Sequence, residues 1–399
     1  MRILFTALPA YGLSLPLVPL AWAARAAGHD ILFASATPMS EVLANAGLPI
    51  VDGYPGRDLW LEFTELANGP RDKSDDTKDI KPLLDSKNSY GYIALQTIEA
   101  TVRTGAKFGA DVVVYTCDYS SGPFIAAALG VPGIEIGNRM AWSTREPRYR
   151  TEPNPLNDPA LLALLRRRVD LTGPVPGPIA RVDQRAPSIG GLAEDVIDEF
   201  DGRPWWPMRS VSYNGGVVVP DWALAEPSRP RVLVTLGTTV PFLSGVSSLG
   251  AVLEAIATMD IEVVLATGNA DLTELGELPD NVIIPGFLPF SAVLPRCSLV
   301  IHHGGAGTIA AAQEYAVPHL VLPAYEENVT SADQLCARGT ALQEDPRTTT
   351  AERVRDAIRR LLDEPAFAKA AREVADEVAA QPSPAEIIAR LTNLIGRSR

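Results

Sequence analysis

Short apolar runs alternate with helical segments through most of the chain, and this alternation constrains the fold more than any other feature. In the first half, an apolar run at residues 3–7 is followed by a helical pattern at 15–27 and a second apolar run at 31–34. A third run, at 112–115, precedes another helical segment. Continuous runs of Val, Ile and Leu are typical of strands that are buried on both faces of a parallel sheet.

The second half of the chain repeats the pattern. Apolar runs predict strands at 232–236, 261–266, 282–284, 299–302 and 319–322, and helical patterns lie at 249–258, 305–316 and 331–338. Strands and helices that alternate at this spacing form doubly wound parallel sheets. The sequence therefore predicts the α/β class, with one Rossmann-like domain in each half.

A proline-rich stretch at residues 203–230 separates the two halves. It holds five prolines and two adjacent glycines, so it is not one helix or one central strand. The predicted organisation is an N-terminal domain at 1–204, a linker at 205–230, a C-terminal domain at 231–380 and a helix at 381–399 that packs back on the first domain.

Charge and cysteine content exclude several classes of protein. A formal net charge of −13 disfavours binding to nucleic acid or to an anionic membrane. The three cysteines are odd in number and lack metal-ligand spacing, which suits a reducing cytosol. No apolar run approaches the roughly 18 residues of a membrane span, and the first residues lack a signal-peptide pattern. We therefore expect a cytoplasmic protein.

The most informative segment is IHHGGAGTI at residues 301–309, where a predicted strand leads directly into a predicted helix. Three glycines let the backbone approach a ligand closely: Gly304, Gly305 and Gly307. The free N–H groups and the dipole of the first helical turn favour an anion there. His303 and Thr308 can each donate a hydrogen bond to a phosphate oxygen. The segment therefore predicts a phosphate site.

HHGGAGT at 302–308 resembles the nucleotide-diphosphate motif of the UDP-glycosyltransferase and macrolide-glycosyltransferase superfamily, whose members have the GT-B fold. RVLVTLGT at 231–238 and NVIIPGFLP at 281–289 are similar to other segments of its C-terminal domain. MRSVSYNG at 208–215 and PLVPLAWAARAAGHD at 16–30 resemble actinobacterial aromatic-polyketide glycosyltransferases. The resemblance spans nearly the whole chain and implies two Rossmann-like domains that face each other across a cleft.

The same resemblance implies an activity. The enzyme would be an inverting transferase that moves a deoxysugar from a dTDP- or UDP-sugar to an aromatic polyketide or similar natural product in antibiotic biosynthesis. It implies a nucleotide-sugar co-substrate, no cofactor and no metal, and the sequence shows no metal-ligand set. A homodimer and a helper protein both stay open, since some relatives need a helper.

Carried over residue by residue, the resemblance assigns the nucleotide and its diphosphate to one set: Gly237, Thr238, Phe287, Leu288, His303, Gly304, Gly305, Gly307 and Thr308. Phe287 would lie against the base, where the family often has Trp, or would instead be a buried core residue. The family binds sugar hydroxyls with an Asp-Gln pair, and the matching residues here are Glu327 and Asn328. That change leaves the identity of the sugar open.

A histidine that the family usually places in its first loop is replaced here by Leu13. The position of its acidic partner is taken by Thr116, and Asp118 follows two residues later. Asp118 is the remaining candidate for the general base, with a loop-capping role as the alternative. Ser14 would orient the acceptor, and Tyr11 and Leu13 would line its site.

Two explanations fit the missing histidine. The acceptor would be a phenol, whose pKa of about 10 makes deprotonation easier than for an aliphatic alcohol, or the sugar would be attached to an aromatic carbon beside such a phenol. We favour carbon slightly over oxygen. Two other functions stay open: a nucleotide-sugar 2-epimerase of the same fold, and a non-catalytic auxiliary relative.

Overall fold

The computed structural model describes residues 1–68, 79–238, 240–241, 245–268 and 270–396. The chain divides into two compact units, each with its own core. The N-terminal unit comprises Met1–Gln184, Glu194–Met208 and Pro382–Arg399, and the C-terminal unit comprises Arg185–Ala193 and Arg209–Gln381.

Within the described residues, the N-terminal unit holds an eight-stranded sheet, in the order β3-β2-β1-β4-β5-β6-β8-β7. Its strands are β1 Arg2–Thr6, β2 Asp30–Ser35, β3 Ile50–Asp52, β4 Val112–Thr116, β5 Gly133–Ile136, β6 Ala180–Asp183, β7 Val196–Ile197 and β8 Pro204–Pro207. All neighbours are parallel except β7 and β8. In the ladder, Leu4 lies opposite Leu32 and Val113. The strand order reverses between β1 and β4, which makes their carboxyl ends the switch point where ligands bind in such sheets.

Helices cover both faces of this sheet. They are α1 Tyr11–Ser14, α2 Val18–Ala26, α3 Met39–Asn45, α4 Leu59–Asn68, α5 Lys81–Asp85, α6 Ser89–Phe108, α7 Gly122–Leu129, α8 Arg148–Thr151, α9 Pro159–Arg168 and, from the end of the chain, α17 Pro384–Gly396. The longest, α6, begins where the Asn88 side chain accepts a hydrogen bond from the Gly91 N–H at 2.8 Å and ends at Gly109, whose φ is 66°. Glycine adopts this left-handed conformation without strain, so it ends the helix.

The C-terminal unit holds a six-stranded sheet within the described residues, in the order β11-β10-β9-β12-β13-β14, with every neighbour parallel. Its strands are β9 Arg231–Thr235, β10 Glu262–Leu265, β11 Val282–Ile283, β12 Leu299–His302, β13 His319–Val321 and β14 Ala341–Gln343. In the ladder, Val234 lies opposite Leu265 and Ile301. The switch point falls between β9 and β12. The predicted fold class of two doubly wound parallel sheets is confirmed.

Seven α-helices surround this second sheet in the described part of the chain: α10 Asp221–Leu224, α11 Gly250–Ile256, α12 Phe290–Val293, α13 Ala306–Glu314, α14 Glu326–Arg338, α15 Ala351–Asp363 and α16 Pro365–Ala380. In α15 the buried residues are Val354, Ala357, Ile358 and Leu361. This helical spacing puts them on one face, which packs into the core beside β9, β10 and α11. Helix α14 begins five residues before the predicted start at 331.

Two segments depart from the predicted domain boundaries. Pro204–Pro207, in and beside the predicted linker, forms a strand between β6 and β7. Its prolines stand at the strand ends, where the missing N–H groups disturb the ladder least. Residues 185–193 belong to the C-terminal unit, because the Ser188 N–H donates to Glu377 at 2.9 Å and Gln381 donates to the Arg185 carbonyl at 2.8 Å.

Helix α17 packs in the N-terminal unit, where Arg390 pairs with Asp195 at 2.7 Å. His29 bonds the Thr392 hydroxyl at 3.0 Å and has a structural role. None of the described helices is long and apolar enough to cross a bilayer.

Candidate functional site

The two loops at the switch point of the C-terminal unit meet on one imidazole ring. Gly237 follows β9, and His303 and Gly305 follow β12. A Cβ atom at Gly237 would lie 2.6 Å from Cε1 of His303, and one at Gly305 would overlap Nε2 of the same ring. His303 is therefore enclosed by two glycine backbones, and the structure brings these three predicted residues together.

His303 is only 9% exposed, and burial lowers its pKa to about 4, an effect that the Thr235 backbone partly opposes. The ring is therefore neutral at pH 7 and can donate one N–H group without carrying a positive charge. Thr238 is exposed at the end of the neighbouring loop.

The turn after His303 presents the start of α13. Gly305 is the N-cap of this nine-residue helix, and its carbonyl accepts the N–H groups of Thr308 at 3.1 Å and Ile309 at 3.0 Å. The amides of Ala306 and Gly307, the first two residues of the helix, precede any intrahelical acceptor, so they are available to an anion. Gly307 is exposed with open space around its Cα, whereas the Thr308 side chain is buried.

Two buried histidines, which the sequence analysis did not single out, hold the backbone of this turn in place. Nδ1 of His302 accepts the Gly304 N–H at 3.0 Å, and its Nε2 lies 3.0 Å from Nδ1 of His319. The His302 proton therefore sits on Nε2 and is donated to His319. Burial lowers the pKa of His302 well below its usual range and that of His319 to about 3. Both rings are neutral, and they fix the backbone at Gly304.

Asn328, a predicted sugar-binding residue, is bonded to this turn. Its Nδ2 donates to the Gly304 carbonyl at 3.1 Å, and its Oδ1 accepts the Tyr325 N–H at 3.2 Å. Gly304 has a φ of 92°, and a Cβ atom there would lie 2.8 Å from Cβ of Asn328. Asn328 thus holds the turn and opens α14, which explains the early start of that helix. Glu327 beside it is half-buried.

Phe287 and Leu288 lie after β11, against Asn214 and Gly215. A Cβ atom at Gly215 would lie 2.7 Å from Cζ of Phe287, so the half-buried ring packs on that backbone. Asn214 donates to the Leu288 carbonyl at 3.0 Å and accepts the Phe290 N–H at 2.9 Å. The Leu288 side chain is buried in the core, which leaves only its backbone N–H for a nucleotide.

In the N-terminal unit, the predicted residues of the first loop are largely used by the fold. The Ser14 hydroxyl is fully buried and donates to the Leu8 carbonyl at 2.8 Å. The Leu13 side chain lies in the hydrophobic core. Tyr11 is half-buried, and burial raises its pKa. Of the three residues, Tyr11 is the one that is not buried.

Asp118 follows β4 at the switch point, as the sequence predicts, but its carboxylate is 1% exposed. Oδ1 accepts the Thr116 hydroxyl at 2.7 Å, and Oδ2 accepts Asn138 Nδ2 and Arg139 Nε, both at 2.9 Å. An oxygen occupied in this way has no open side from which to take a proton from a ligand. This geometry favours the structural alternative for Asp118 over the role of base.

Asp118 holds in place Arg139, a residue that the sequence analysis did not identify. Its NH2 group donates to the Tyr90 hydroxyl at 3.0 Å, and its guanidinium carbon lies 5.5 Å from the Tyr90 ring centre and 5.8 Å from that of Trp142. Trp142 stacks on Tyr149 with ring centres 4.7 Å apart. We call Tyr90, Trp142 and Tyr149 the aromatic cluster. Sequence spacing gave no signal for it, because its members come from α6 and from the loop and helix after β5.

Comparison with known proteins agrees with this geometry. The erythromycin biosynthesis protein CIII-like N-terminal domain matches residues 22–237, and the corresponding C-terminal domain matches residues 250–394. Elloramycin glycosyltransferase ElmGT of Streptomyces olivaceus is 35% identical, over 99% of this chain and 98% of its own length.

Two solved structures are similar along nearly their whole length. The glycosyltransferase SnogD of Streptomyces nogalater is 32% identical with a TM-score of 0.78, covering 99% of each chain. The glycosyltransferase SsfS6 of Streptomyces sp. SF2575, solved with thymidine diphosphate, is 30% identical with a TM-score of 0.76, covering 98% of this chain and 99% of its own. These relatives are transferases and do not favour an epimerase or an auxiliary protein. The chain belongs to the erythromycin biosynthesis protein CIII-like family and is a nucleotide-sugar-dependent glycosyltransferase of the GT-B fold.

Proposed function

We propose that this enzyme transfers a deoxysugar from a dTDP-sugar to a phenolic aromatic polyketide, with inversion at the anomeric carbon and without a metal ion. The observation that carries the proposal is the meeting of Gly237 and Gly305 on His303 beside the start of α13. The thymidine diphosphate bound in SsfS6 supports the choice of donor. The elloramycin glycosyltransferase ElmGT supports a natural-product acceptor.

The donor half of the reaction follows from the charges at the turn. As the bond between the anomeric carbon and the diphosphate breaks, negative charge grows on the departing oxygen. The amides that open α13 and the neutral His303 N–H stabilise that charge, and they are already in place before the reaction. A ring held neutral by burial donates a hydrogen bond but does not bind the product as a fixed cation would. This fits a site that must release the nucleoside diphosphate.

The acceptor half follows from what the N-terminal unit lacks in its described residues. Leu13 replaces the usual histidine, and the Ser14 and Asp118 oxygens are committed to partners within the fold. An acceptor that ionises easily suits such a site, and a phenol does so far more readily than an aliphatic alcohol. The negative charge of a phenolate also activates its ortho ring carbon. On this ground we favour carbon linkage slightly over oxygen linkage.

Calorimetry with dTDP, UDP and CDP tests the donor site directly, and we expect dTDP to bind most tightly. Incubation with a dTDP-deoxysugar and a set of polyphenolic aglycones, with and without EDTA, then tests transfer. Free dTDP together with a sugar adduct of the aglycone, unaffected by EDTA, supports the proposal, and an interconverted nucleotide sugar contradicts it. A product bond that resists acid identifies carbon linkage, and a hydrolysed one identifies oxygen linkage.

A further inference from the structure

A groove lies in the N-terminal unit between α6 and the edge strand β3, and the proposed reaction does not use it. Its volume is about 460 Å³, which is within the roughly 300–1,000 Å³ of pockets that bind small molecules. At one end, a Cβ atom at Gly53 would lie 2.9 Å from Cβ of Ala100, so the chain after β3 touches α6 there. The groove is therefore closed at that end by the fold itself.

The groove extends away from the edge of the sheet where the acceptor is expected. Its walls include Leu32, in the middle of β2, and Phe108, the last residue of α6. Helix α6 leads into β4, and a helix that leads into a parallel strand ends at the amino edge of the sheet. The switch point lies at the opposite, carboxyl edge. A ligand in the groove is therefore separate from the loops after β1 and β4.

Two cations line the groove, Arg103 and Lys107. They are one turn apart on α6, so their side chains project from the same face of the helix, and both are exposed. Neither forms an ion pair or a side-chain hydrogen bond with the residues that the structure describes. On a chain with a net charge of −13, two adjacent free cations favour an anionic ligand at this place.

The acidic groups beside the two cations have other partners. Asp52, in the wall of the groove, accepts the Tyr54 N–H at 2.7 Å and a threonine hydroxyl at 3.3 Å. Glu99, one turn before Arg103 on α6, pairs with Arg168 at 3.0 Å. Both carboxylates are thus held by the fold, and the two cations stay available to a ligand.

The rest of the wall is apolar. Leu32 and Phe108 are half-buried, and Val51 keeps 37% of its surface exposed. A ligand that covers these side chains removes apolar surface from water, which favours its binding. Two cations beside such a wall match a molecule that carries one acidic group on an apolar body.

We propose that this groove is a second ligand site, which binds a small amphipathic anion. The carboxylate or phosphate group of the ligand contacts Arg103 and Lys107, and its apolar body lies against the wall of Leu32, Val51 and Phe108. The guanidinium and the ammonium donate hydrogen bonds to the acidic group, and bonds between charged partners are the stronger kind. Binding here is independent of the donor, because the groove takes no part in sugar transfer.

The test is calorimetry on the full-length enzyme, repeated with saturating dTDP to keep the probes out of the donor site. The probes are 2-naphthoate and 2-naphthyl phosphate, which carry the two acidic groups on the same apolar body. We expect binding at one site per chain, and the tighter probe identifies the acidic group that the groove takes. Two further compounds, uncharged 2-naphthamide and inorganic phosphate without an apolar body, are each expected to bind at least about tenfold more weakly.

The double variant Arg103→Gln with Lys107→Gln is expected to weaken binding of the tighter probe at least about tenfold, since both charge-assisted contacts are lost. The matched control is Lys369→Gln with Arg372→Gln, which removes the same two residue types from exposed positions on α16 and should change nothing. Val51→Glu puts a carboxylate into the apolar wall at a position that is already partly exposed, and it should weaken binding as much as the double variant. All of these variants should keep their affinity for dTDP.

Failure of both acidic probes to bind, or binding that the double variant leaves unchanged, overturns the inference. Inorganic phosphate that binds as tightly as the naphthyl probes also overturns it, because the two cations would then hold an adventitious ion only. Loss of binding in saturating dTDP contradicts it by assigning the probe to the donor site. A wild-type dimer that Val51→Glu dissociates in analytical ultracentrifugation contradicts it as well, because the groove would then be an interface between copies of this chain.

Discussion

The loops after β9 and β12 in the C-terminal unit and those after β1 and β4 in the N-terminal unit occupy equivalent places in two similar sheets, but they use their side chains differently. In the C-terminal pair, backbone atoms face the site, and the side chains of His302 and Asn328 hold that backbone. In the N-terminal pair, the side chains of Ser14 and Asp118 are turned into the fold, where Ser14 donates to the Leu8 carbonyl and Asp118 accepts from Arg139. The diphosphate is common to nucleoside-diphosphate donors, and a site built from backbone amides suits it whatever the rest of the donor is.

The largest expected effect is the loss of stability in Asp118→Asn, which tests whether the Asp118 side chain is committed to the fold. The change removes a buried charge from beside the Arg139 cation, and breaking such a pair costs about 3–5 kcal/mol of unfolding free energy. Urea unfolding of the variant measures the loss. A change below about 1 kcal/mol would show that Asp118 does not anchor its loop and would restore its candidacy as the base.

Mild acid should weaken the C-terminal unit through its buried histidines. His303 stays neutral in the fold, with a pKa of about 4, while an unfolded histidine has a pKa near 6.5. The unfolded state therefore binds the proton first, so this stability is complete above pH 6.5 and is lost as the pH falls towards 4. The difference between the folded and unfolded pKa of His303 corresponds to about 3 kcal/mol of unfolding free energy.

The measurement is urea unfolding at a series of pH values, for the wild type and for His303→Gln. The variant should lose less stability over this window than the wild type. Equal slopes for the two proteins would contradict a buried neutral His303.

Gly305→Ala tests the enclosure of His303 through catalysis. The backbone of Gly305 has a φ of −70°, which alanine adopts readily, but the new Cβ would overlap the imidazole. Displacing one donor from the departing oxygen typically lowers kcat by about 100-fold, and dTDP binding should weaken as well. Gly250→Ala, at the start of α11 with open space around it, is the control and should change neither value.

The smallest effect separates two roles for Asn328. If Asn328 holds the turn, it matters for dTDP itself, which carries no transferable sugar. Asn328→Ala should then weaken dTDP binding by about fivefold, as expected for a lost hydrogen bond of about 1 kcal/mol. Glu327→Gln, as the neighbouring comparison, should alter affinity for the dTDP-sugar and not for dTDP. If Asn328→Ala leaves dTDP affinity intact in calorimetry, the residue contacts the sugar as first predicted.

The sequence was informative where the residues that form a structural feature are consecutive in the chain. The turn at 301–309 shows its strand end, glycines and helix start in one line, and the strand at 299–302 has the predicted bounds. It failed where function depends on partners far apart in the chain. His319 lies 17 residues beyond His302, and Tyr90 lies 49 residues before Arg139. The side chains of Leu13 and Leu288 are buried in the core. The sequence did not indicate this, because a leucine in a loop gives no local sign of whether it faces a ligand or the core.

The exchange of segments between the two units bears on how such enzymes can be recombined. A hybrid made by cutting once in the proline-rich stretch would take Ser188 away from Glu377 and Arg338, and would separate Arg390 from Asp195. Grafting a donor half from a relative therefore calls for four junctions: residues 185–193 and 209–381 come from the relative, and residues 194–208 and α17 stay with the N-terminal unit.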